Sequence, residues 1–281
     1  MRSGAGGPTQ ARGLPHIGLG MLKDNQDDML TEKVAIVTGG GGGIGRACSI
    51  AFAEAGARVV VADIDADGAN ETARMIGDAG RAATVDVAEP AAVQALMART
   101  AAEYGRIDAL VNNAAVQVNK LIEDTTPEEW NRQMAVNVGG IFLCSKYALP
   151  HLRASRGAIV NMSSVNGFFV EPTCPGYCAT KGAIIALTKA MAIDYGRAGI
   201  RVNCICPGYI DAGLAAGYFE VQPDPAAARA AADNLHALGR IGRPEEVARV
   251  AVFLASAGAS FMTGSAVVVD GGFGSGLPSN G

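Results

Sequence analysis

Short apolar runs alternate with amphipathic stretches along most of the chain. Seven of these runs predict buried β-strands, at residues 34–37, 59–62, 82–85, 109–111, 158–162, 202–206 and 266–269. The stretches between them predict helices, at residues 44–55, 66–76, 89–104, 127–151, 177–195 and 244–255. Because the strands are almost continuously apolar, helices must cover both faces of their sheet. The pattern therefore predicts an α/β fold, a doubly wound and mostly parallel seven-stranded sheet with helices on both faces.

The first part of the chain lacks this periodicity. Residues 1–30 hold six glycines and two prolines, and we predict that they form a flexible N-terminal extension. Residues 31–281 show no internal repeat and no linker, so they are predicted to form a single domain. In a doubly wound domain, ligands bind beyond the carboxyl ends of the strands.

Composition excludes several classes of protein. The formal net charge of -4 argues against a general binder of nucleic acid or of anionic membranes. No apolar stretch approaches the ~18 residues that a membrane span needs, and the first thirty residues show no secretory signal. The six cysteines are therefore interpreted as reduced thiols of a cytoplasmic protein. No metal site is predicted, because no H-x-x-x-H pattern is present and Cys204 and Cys206 are interpreted as small buried hydrophobic residues.

A glycine-rich turn follows the first predicted strand, with the sequence Thr38-Gly39-Gly40-Gly41-Gly42-Gly43-Ile44-Gly45-Arg46. Glycine lets the backbone approach a pyrophosphate closely, and the next helix points its free N–H groups at the anion. Both the G-x-G-x-x-G and the T-G-x-x-x-G-x-G spacing fit this run. A P-loop is disfavoured because Arg46 and Ala47, rather than Lys and Ser or Thr, follow Gly45. The alternative is an ordinary turn between a strand and a helix.

Two acidic residues at strand ends favour a dinucleotide over that alternative. Asp63 ends the second predicted strand, 18 residues after Gly45, close to the ~20 expected of the acid that binds the adenosine ribose. Its carboxylate repels a 2′-phosphate, and neither Gly42 nor Ile64 offers a basic side chain, so NAD is predicted in preference to NADP. Asp86, followed by Val87, ends the third strand and is predicted to accept from the adenine amino group. The alternative role for Asp86 is a helix N-cap.

A tyrosine and a lysine supply candidate proton-transfer chemistry. Tyr177 and Lys181 are four residues apart and therefore share one helical face. A tyrosine hydroxyl has a pKa near ~10, and a neighbouring ammonium or an oxidised nicotinamide would stabilise its phenolate. Tyr177 is then predicted to exchange a proton with an alcohol or ketone while hydride moves to or from the nicotinamide. Ser164 follows the strand at 158–162 and is predicted to orient the substrate oxygen.

Together these motifs resemble the short-chain dehydrogenase/reductase family over residues 33–272, nearly the whole predicted core. Thr38-Gly39-x-x-x-Gly43-x-Gly45 looks like the cofactor turn of that family, and Ser164, Tyr177 and Lys181 match its S-x12-Y-x3-K signature. Asn112-Asn113-Ala114-Ala115 resembles its N-N-A-G element, and Pro207-Gly208 resembles its P-G element. The order and spacing of these motifs together are highly specific.

The resemblance implies a Rossmann fold, residue roles and an assembly. Asn137 looks like the helix asparagine that holds a water relaying protons to Lys181. A mobile lid is implied near 211–240, as is a homotetramer built on the helices that carry Asn137 and Tyr177. The predicted catalytic residues are Asn137, Ser164, Tyr177 and Lys181. The predicted cofactor contacts are Thr38, Gly39, Gly43, Ile44, Gly45, Asp63, Asp86, Val87, Asn113, Ala114, Tyr177, Lys181, Pro207, Gly208 and Ile210.

Two departures from the family pattern bear on cofactor geometry. Ala115 stands where glycine is usual. Ala212 stands where the family often has a threonine that bonds the nicotinamide carboxamide, a role that Ile210 or Asp211 would have to take over.

Three functions remain open on the sequence. The first is an NAD-dependent oxidoreductase that interconverts a secondary alcohol and a ketone. The second is a reductase of 3-oxoacyl thioesters, which Asp63 disfavours because such biosynthetic reduction usually draws on NADPH. The third is a non-catalytic dinucleotide sensor, which would not need a complete set of proton-transfer residues.

The substrate is expected to be a small or medium, largely uncharged alcohol. The predicted lid is mostly apolar, with Arg229, His236 and Arg240 as its sparse charge. The candidate substrate contacts are Gln117, Asn166, Glu171 and Tyr209, and Phe168 and Phe169 are candidate pocket walls.

Overall fold

The seven predicted strands form one parallel sheet with the order β3-β2-β1-β4-β5-β6-β7. The structure, a computed structural model, describes Met1 and residues 29–276. The strands are β1 (Val34–Thr38), β2 (Arg58–Asp63), β3 (Gly80–Thr84), β4 (Ala109–Asn112), β5 (Ala158–Met162), β6 (Arg201–Pro207) and β7 (Ala266–Val269). The predicted doubly wound Rossmann architecture is confirmed, and every strand pair is parallel.

Nine α-helices occur in the described residues. They are α1 (Gly43–Glu54), α2 (Ala66–Met75), α3 (Pro90–Tyr104), α4 (Pro127–Gln133), α5 (Gly140–Ser155), α6 (Pro175–Gly196), α7 (Gly213–Glu220), α8 (Pro225–Leu235) and α9 (Pro244–Ala255). A π-helical turn, Met134–Gly139, joins α4 to α5. The single helix predicted over 127–151 therefore consists of three consecutive segments, and the last of them, α5, extends to Ser155.

Alternate residues of the inner strands are buried in two separate cores, one on each face of the sheet. In β1, Ala35 and Val37 pack with the helices α1 and α9, where Phe52 is fully buried. Ile36 points to the opposite face and packs with α3, α5 and α6. Because both faces of the strand are apolar and covered, the strand is stabilised by burial on each side.

The start of the domain differs from the prediction. Leu30 is only 2% exposed, and its backbone N–H donates to the carbonyl of Ala55 at 2.8 Å. Met29 and Leu30 therefore pack with the core that contains Phe52, just before the predicted start of the domain at residue 31. Residues 2–28 of the predicted extension lie outside the described residues.

The predicted lid region is more helical than its Gly and Pro content indicates. It contains α7 and α8, and Asp224 caps α8 by accepting from the N–H of Ala227 at 2.9 Å. Pro225 occupies the first turn of α8, where its missing N–H costs nothing. Proline therefore starts a helix here instead of interrupting one.

Candidate active site

A cavity of about 560 Å³ opens at the carboxyl ends of the strands, where the strand order reverses between β1 and β4. This is the place where doubly wound folds bind their ligands. The predicted site residues that line it are Gly39, Gly43, Ile44, Asp63, Asp86, Val87, Asn113, Ala114, Ser164, Tyr177, Lys181, Pro207, Gly208 and Ile210. The other three, Thr38, Gly45 and Asn137, are buried behind its wall.

The backbone of the glycine turn distinguishes the two candidate spacings. Gly39 and Gly43 adopt φ values of +63° and +53°, which favour glycine. A Cβ on Gly45 would lie 1.9 Å from the carbonyl oxygen of Gly39, so no side chain fits there. A Cβ on Gly42 would have no heavy atom within 4 Å. Gly42, which belongs to the G-x-G-x-x-G spacing, is therefore unconstrained, whereas every glycine of the T-G-x-x-x-G-x-G spacing is constrained.

The turn presents a helix N-terminus to the cavity. Gly42 is the N-cap of α1 and offers no side-chain acceptor, and the first turn of α1 holds no acidic residue. The first N–H groups of a helix have no intrahelical partner and carry partial positive charge. These groups fit a pyrophosphate, which the glycines allow to approach.

Thr38 and Asn113 hold this turn against the end of β4. The hydroxyl oxygen of Thr38 accepts from the backbone N–H groups of Asn113 and Ala114, at 3.0 and 3.2 Å. The Asn113 amide donates to the carbonyl oxygens of Thr38 and Gly39, both at 3.1 Å. Thr38 therefore shapes the site from behind rather than contacting the cavity.

Asp63 lies at the rim of the cavity, as expected for a ribose-binding acid. Its Oδ2 accepts from the N–H of Gly41 at 2.8 Å, and its Oδ1 accepts from the N–H of Asp65 at 3.0 Å. These donors fix the direction of the carboxylate, and each oxygen keeps a lone pair for a ribose hydroxyl.

Asp86 is held by a residue that sequence reasoning missed. Its Oδ2 pairs with the guanidinium of Arg132 at 3.1 Å, and its Oδ1 accepts from the N–H of Ala88 at 2.9 Å. The N-cap of α3 is Glu89, so the alternative role proposed for Asp86 is wrong. Arg132 also lines the cavity. No sequence signal links two residues 46 positions apart.

The cavity wall brings together the three predicted proton-transfer residues, Tyr177, Lys181 and Ser164. The first turns of α6 place the Lys181 ammonium 5.1 Å from the centroid of the Tyr177 ring. Lys181 is 2% exposed and donates to the carbonyl of Met162, the last residue of β5, at 2.8 Å. The Ser164 side chain hydrogen-bonds to that of Tyr177. The phenol of Tyr177 therefore lies next to both the Lys181 ammonium and the Ser164 hydroxyl.

Burial has the largest effect on the acidity of this group. It raises the pKa of Tyr177, and the hydrogen bond from Ser164 only partly opposes that rise. Burial lowers the pKa of Lys181 to about 8, because a cation is disfavoured away from water. In the protein without cofactor, burial therefore outweighs the influences that lower the pKa of this phenol.

Asn137 lies in the π-helical turn, and both polar atoms of its side chain bond to other parts of the protein. Its Oδ1 accepts from the N–H of Val116 at 2.8 Å, and its Nδ2 donates to the carbonyl of Val116 at 2.9 Å and to the hydroxyl of Thr180 at 3.1 Å. The amide thus clamps the segment after β4 to the helix that carries Tyr177.

The other end of the cavity is lined by the four candidate substrate contacts, Gln117, Asn166, Glu171 and Tyr209. Phe168 and Phe169 are 48% and 47% exposed and do not line the cavity, so their prediction as pocket walls is wrong. Their loop turns both rings outward.

The two lid arginines are engaged away from the cavity, and His236 does not line it. Arg229 pairs with both oxygens of Asp211, Arg240 pairs with Glu246, and His236 is buried. Because Arg229 occupies Asp211, this carboxylate cannot replace the missing threonine hydroxyl at Ala212. Ala212 itself lines the cavity.

The described part of the chain shows neither a cluster of metal ligands nor a helix that could span a membrane. It contains no group of three or more His, Cys, Asp or Glu residues that could hold a metal ion. None of its helices has the length and apolar character required to cross a bilayer. Cys204 and Cys206 are fully buried and pack with Ile184 in an apolar cluster.

The sheet order, glycine turn and cavity define a nucleotide-binding Rossmann-type oxidoreductase. A family model described as enoyl-(acyl carrier protein) reductase matches residues 39–274. The chain belongs to the short-chain dehydrogenase/reductase family.

Individual relatives carry several different activities. The chain is 41% identical over 242 residues to a meso-2,3-butanediol dehydrogenase of Serratia marcescens, covering 85% of this chain and 94% of the relative. It is 38% identical to a 3-oxoacyl-[acyl-carrier-protein] reductase of Chlamydia muridarum, covering 88% and 99%. A crystal structure of a 3-ketoacyl-(acyl-carrier-protein) reductase from Brucella melitensis, complexed with NADH, superposes with a TM-score of 0.81 at 34% identity, covering 87% of this chain and 99% of that one.

Proposed function

We propose that the chain is an NAD(H)-dependent oxidoreductase that interconverts a secondary alcohol and a ketone, with Tyr177 as general acid and base. The observation that carries the proposal is the Tyr177–Lys181–Ser164 arrangement inside the cavity that the glycine turn borders. The dehydrogenase activity named for the Serratia marcescens relative supports it.

When bound, the nicotinamide ring supplies the hydride acceptor or donor, and its oxidised form supplies a positive charge. The protein's own residues do the rest. Ser164 orients the substrate oxygen, and Tyr177 takes its proton during oxidation or returns it during reduction. The positive charge of Lys181 and of the oxidised ring opposes the effect of burial on the phenol.

Proton delivery continues from Tyr177 towards Lys181. Because the Asn137 amide is committed to Val116 and Thr180, we assign the backbone carbonyl of Asn137 as the group that would hold a relaying water. We therefore assign Asn137 both to the relay and to fixing the helix on which the relay depends.

A second candidate is reduction of 3-oxoacyl thioesters. The names of the Chlamydia muridarum relative and of the Brucella melitensis structure favour it. The Asp63 carboxylate, and glycine instead of a basic residue at position 42, disfavour the 2′-phosphorylated cofactor that such reductions usually draw on. A dinucleotide sensor is disfavoured because the proton-transfer residues are complete.

A panel of secondary alcohols tests the proposal directly. The purified chain is incubated with NAD⁺ and each alcohol, and NADH formation is followed by absorbance. Oxidation of at least one alcohol is expected. Activity confined to the reduction of an acetoacetyl thioester with NADPH would establish the second candidate, and binding of NADH without any turnover would establish the sensor.

Cofactor preference is predicted to depend on the Asp63 charge. NADH should raise the melting temperature of the protein at lower concentrations than NADPH does, because the carboxylate repels a 2′-phosphate. Asp63→Asn keeps the hydrogen bond to Gly41 but removes the charge, so the difference between the two cofactors should shrink by about tenfold or more in concentration. Thermal melts with both cofactors measure this.

The matched control is Asp65→Asn, which removes an exposed carboxylate two residues away that does not line the cavity. It should leave the cofactor difference unchanged. Equal responses of the unsubstituted protein to NADH and NADPH would contradict the role of Asp63.

A homotetramer is part of the same proposal. Phe142 on α5 is 53% exposed and Ile193 on α6 is 82% exposed, and large apolar side chains exposed on neighbouring helices indicate a surface that another subunit covers. Light scattering should give four times the mass of one chain. A monomer would rule this assembly out.

The predicted cytoplasmic localisation belongs to the proposal as well, and cell fractionation checks it.

A further inference from the structure

One end of the cavity carries a polar cluster that proton transfer does not use. Glu171 accepts hydrogen bonds through both carboxylate oxygens, from the hydroxyl of Tyr209 at 2.5 Å and from Nδ2 of Asn166 at 2.7 Å. Asn166 and Glu171 lie in the loop after β5, and Tyr209 lies just after β6. All three residues line the cavity. The cluster therefore joins two strand ends at the substrate side of the site.

The amide of Asn166 is left with an unused acceptor. A carboxylate can only accept, so the bond to Glu171 fixes Nδ2 as the group that faces it. The remaining Oδ1 has no hydrogen-bond partner among the described residues, although Asn166 is only 4% exposed. A buried acceptor without a donor is destabilising. The orphan oxygen therefore points to a ligand that brings a donor.

The cluster lies beside the reacting centre. The backbone N–H of Asn166 donates to the hydroxyl of Ser164 at 3.1 Å, and Ser164 in turn bonds to Tyr177. Asn166 is therefore anchored through its backbone to the hydroxyl assigned to the substrate oxygen, and its side chain lines the same cavity.

The charges around the cavity limit what that group is. Among the described residues that line it, the only cationic side chains are Lys181, which sits at Tyr177, and Arg132, which pairs with Asp86. An anionic substrate arm would meet Glu171 without a counter-charge. A neutral hydroxyl meets no such repulsion and supplies the donor that Asn166 lacks.

We propose that Asn166 and Glu171 form a subsite for a second hydroxyl of the substrate, so that the enzyme acts on uncharged alcohols with a hydroxyl on a neighbouring carbon. This inference rests on the proposed function. The second hydroxyl donates to Oδ1 of Asn166 and lies against the Glu171 carboxylate. Tyr209 is a positioning residue that fixes this carboxylate.

Three matched ring alcohols test the subsite: cyclohexane-1,2-diol, cyclohexanol and 4-hydroxycyclohexanecarboxylate. For the full chain with NAD⁺, kcat/KM should be about tenfold or more higher for the diol than for cyclohexanol, because a site built for a hydroxyl rejects the analogue without it. The carboxylate should be the poorest substrate. Asn166→Ala should bring the diol-to-cyclohexanol ratio towards one, and Glu171→Gln should raise the carboxylate relative to cyclohexanol.

Ratios separate recognition from a structural role, since a substitution that only disturbs the fold lowers all three activities by the same factor. Glu54→Gln, an exposed change on α1, is the control and should alter no ratio. Equal kcat/KM for the diol and cyclohexanol, or a diol preference that survives Asn166→Ala, would overturn the subsite.

A binding measurement keeps this test independent of turnover. Saturation-transfer NMR on Tyr177→Phe loaded with NAD⁺ should show tighter binding of the diol than of cyclohexanol, and equal binding would overturn the subsite. Failure of the proposed function gives a different result. In that case the unsubstituted enzyme would not reduce NAD⁺ with any alcohol, even if the diol bound more tightly than cyclohexanol.

Discussion

Replacing Tyr177 with phenylalanine is expected to lower kcat by about three orders of magnitude or more, while the affinity for NADH changes little. The substitution removes one oxygen atom, the group assigned to carry the proton between substrate and protein. It keeps the ring that lies beside the Lys181 ammonium, 5.1 Å from the ring centroid. The substitution should lower kcat without changing the affinity for NADH. Steady-state rates measure the first effect, and NADH titration by fluorescence measures the second.

Tyr195→Phe is the matched control for this prediction. Tyr195 lies on the same helix, α6, and packs under Arg153 far along the chain from the cavity lining. It should keep kcat within about twofold, as expected of a substitution away from the reacting groups. A Tyr177→Phe enzyme that turns over at a near-normal rate would refute the assignment of Tyr177 as acid and base.

The fold could be predicted from the sequence because its strands are unambiguous. Each of the seven apolar runs is short and rich in Val, Ile or Ala, and for the inner strands burial on both faces removes the apolar surface from water. The two edge strands, β3 and β7, are partly exposed. The observed strands begin and end within three residues of the predicted ones. The site followed from this, because strand ends that meet at one edge bring distant motifs together.

Features that depend on contacts between distant residues could not be predicted. The pairing of Asp86 with Arg132 joins a strand end to a helix through one ion pair, and no local pattern marks it. The side chain of Asn137, in the π-helical turn, bonds to Val116, 21 positions away in the sequence. Burial reversed the expected effect on the acidity of Tyr177, because desolvation is a property of the packed site rather than of helical spacing.

The five consecutive glycines show the same limit at one turn. Their spacing fits two motifs equally well, and only the backbone angles and the neighbouring atoms show which positions exclude a side chain. Gly45 has no room for a Cβ, whereas Gly42 faces open space. All five residues of the run are glycine, but they differ in whether a side chain would fit at their position.

Gly45→Ala is consequently expected to be severe. Its Cβ would lie 1.9 Å from the Gly39 carbonyl oxygen and 2.6 Å from the Asn113 amide nitrogen, so the helix must move away from the strand end. Overpacking against backbone should cost about 3 kcal/mol or more, which corresponds to a fall in melting temperature of roughly 6–12 °C. NADH affinity should fall as well, because the first turn of α1 shifts from the pyrophosphate position. Thermal melts and fluorescence titration measure both.

Gly42→Ala is the matched control for Gly45→Ala. Gly42 has an extended backbone conformation and open space around it, so alanine there should cost less than about 1 kcal/mol, the loss of a preferred N-cap residue. Both variants add one methyl group to the same turn, so they differ only in what that methyl group meets. Similar melting temperatures for the two variants would show that helix α1 is not packed against the end of β1 as closely as the Gly39–Gly45 contact requires.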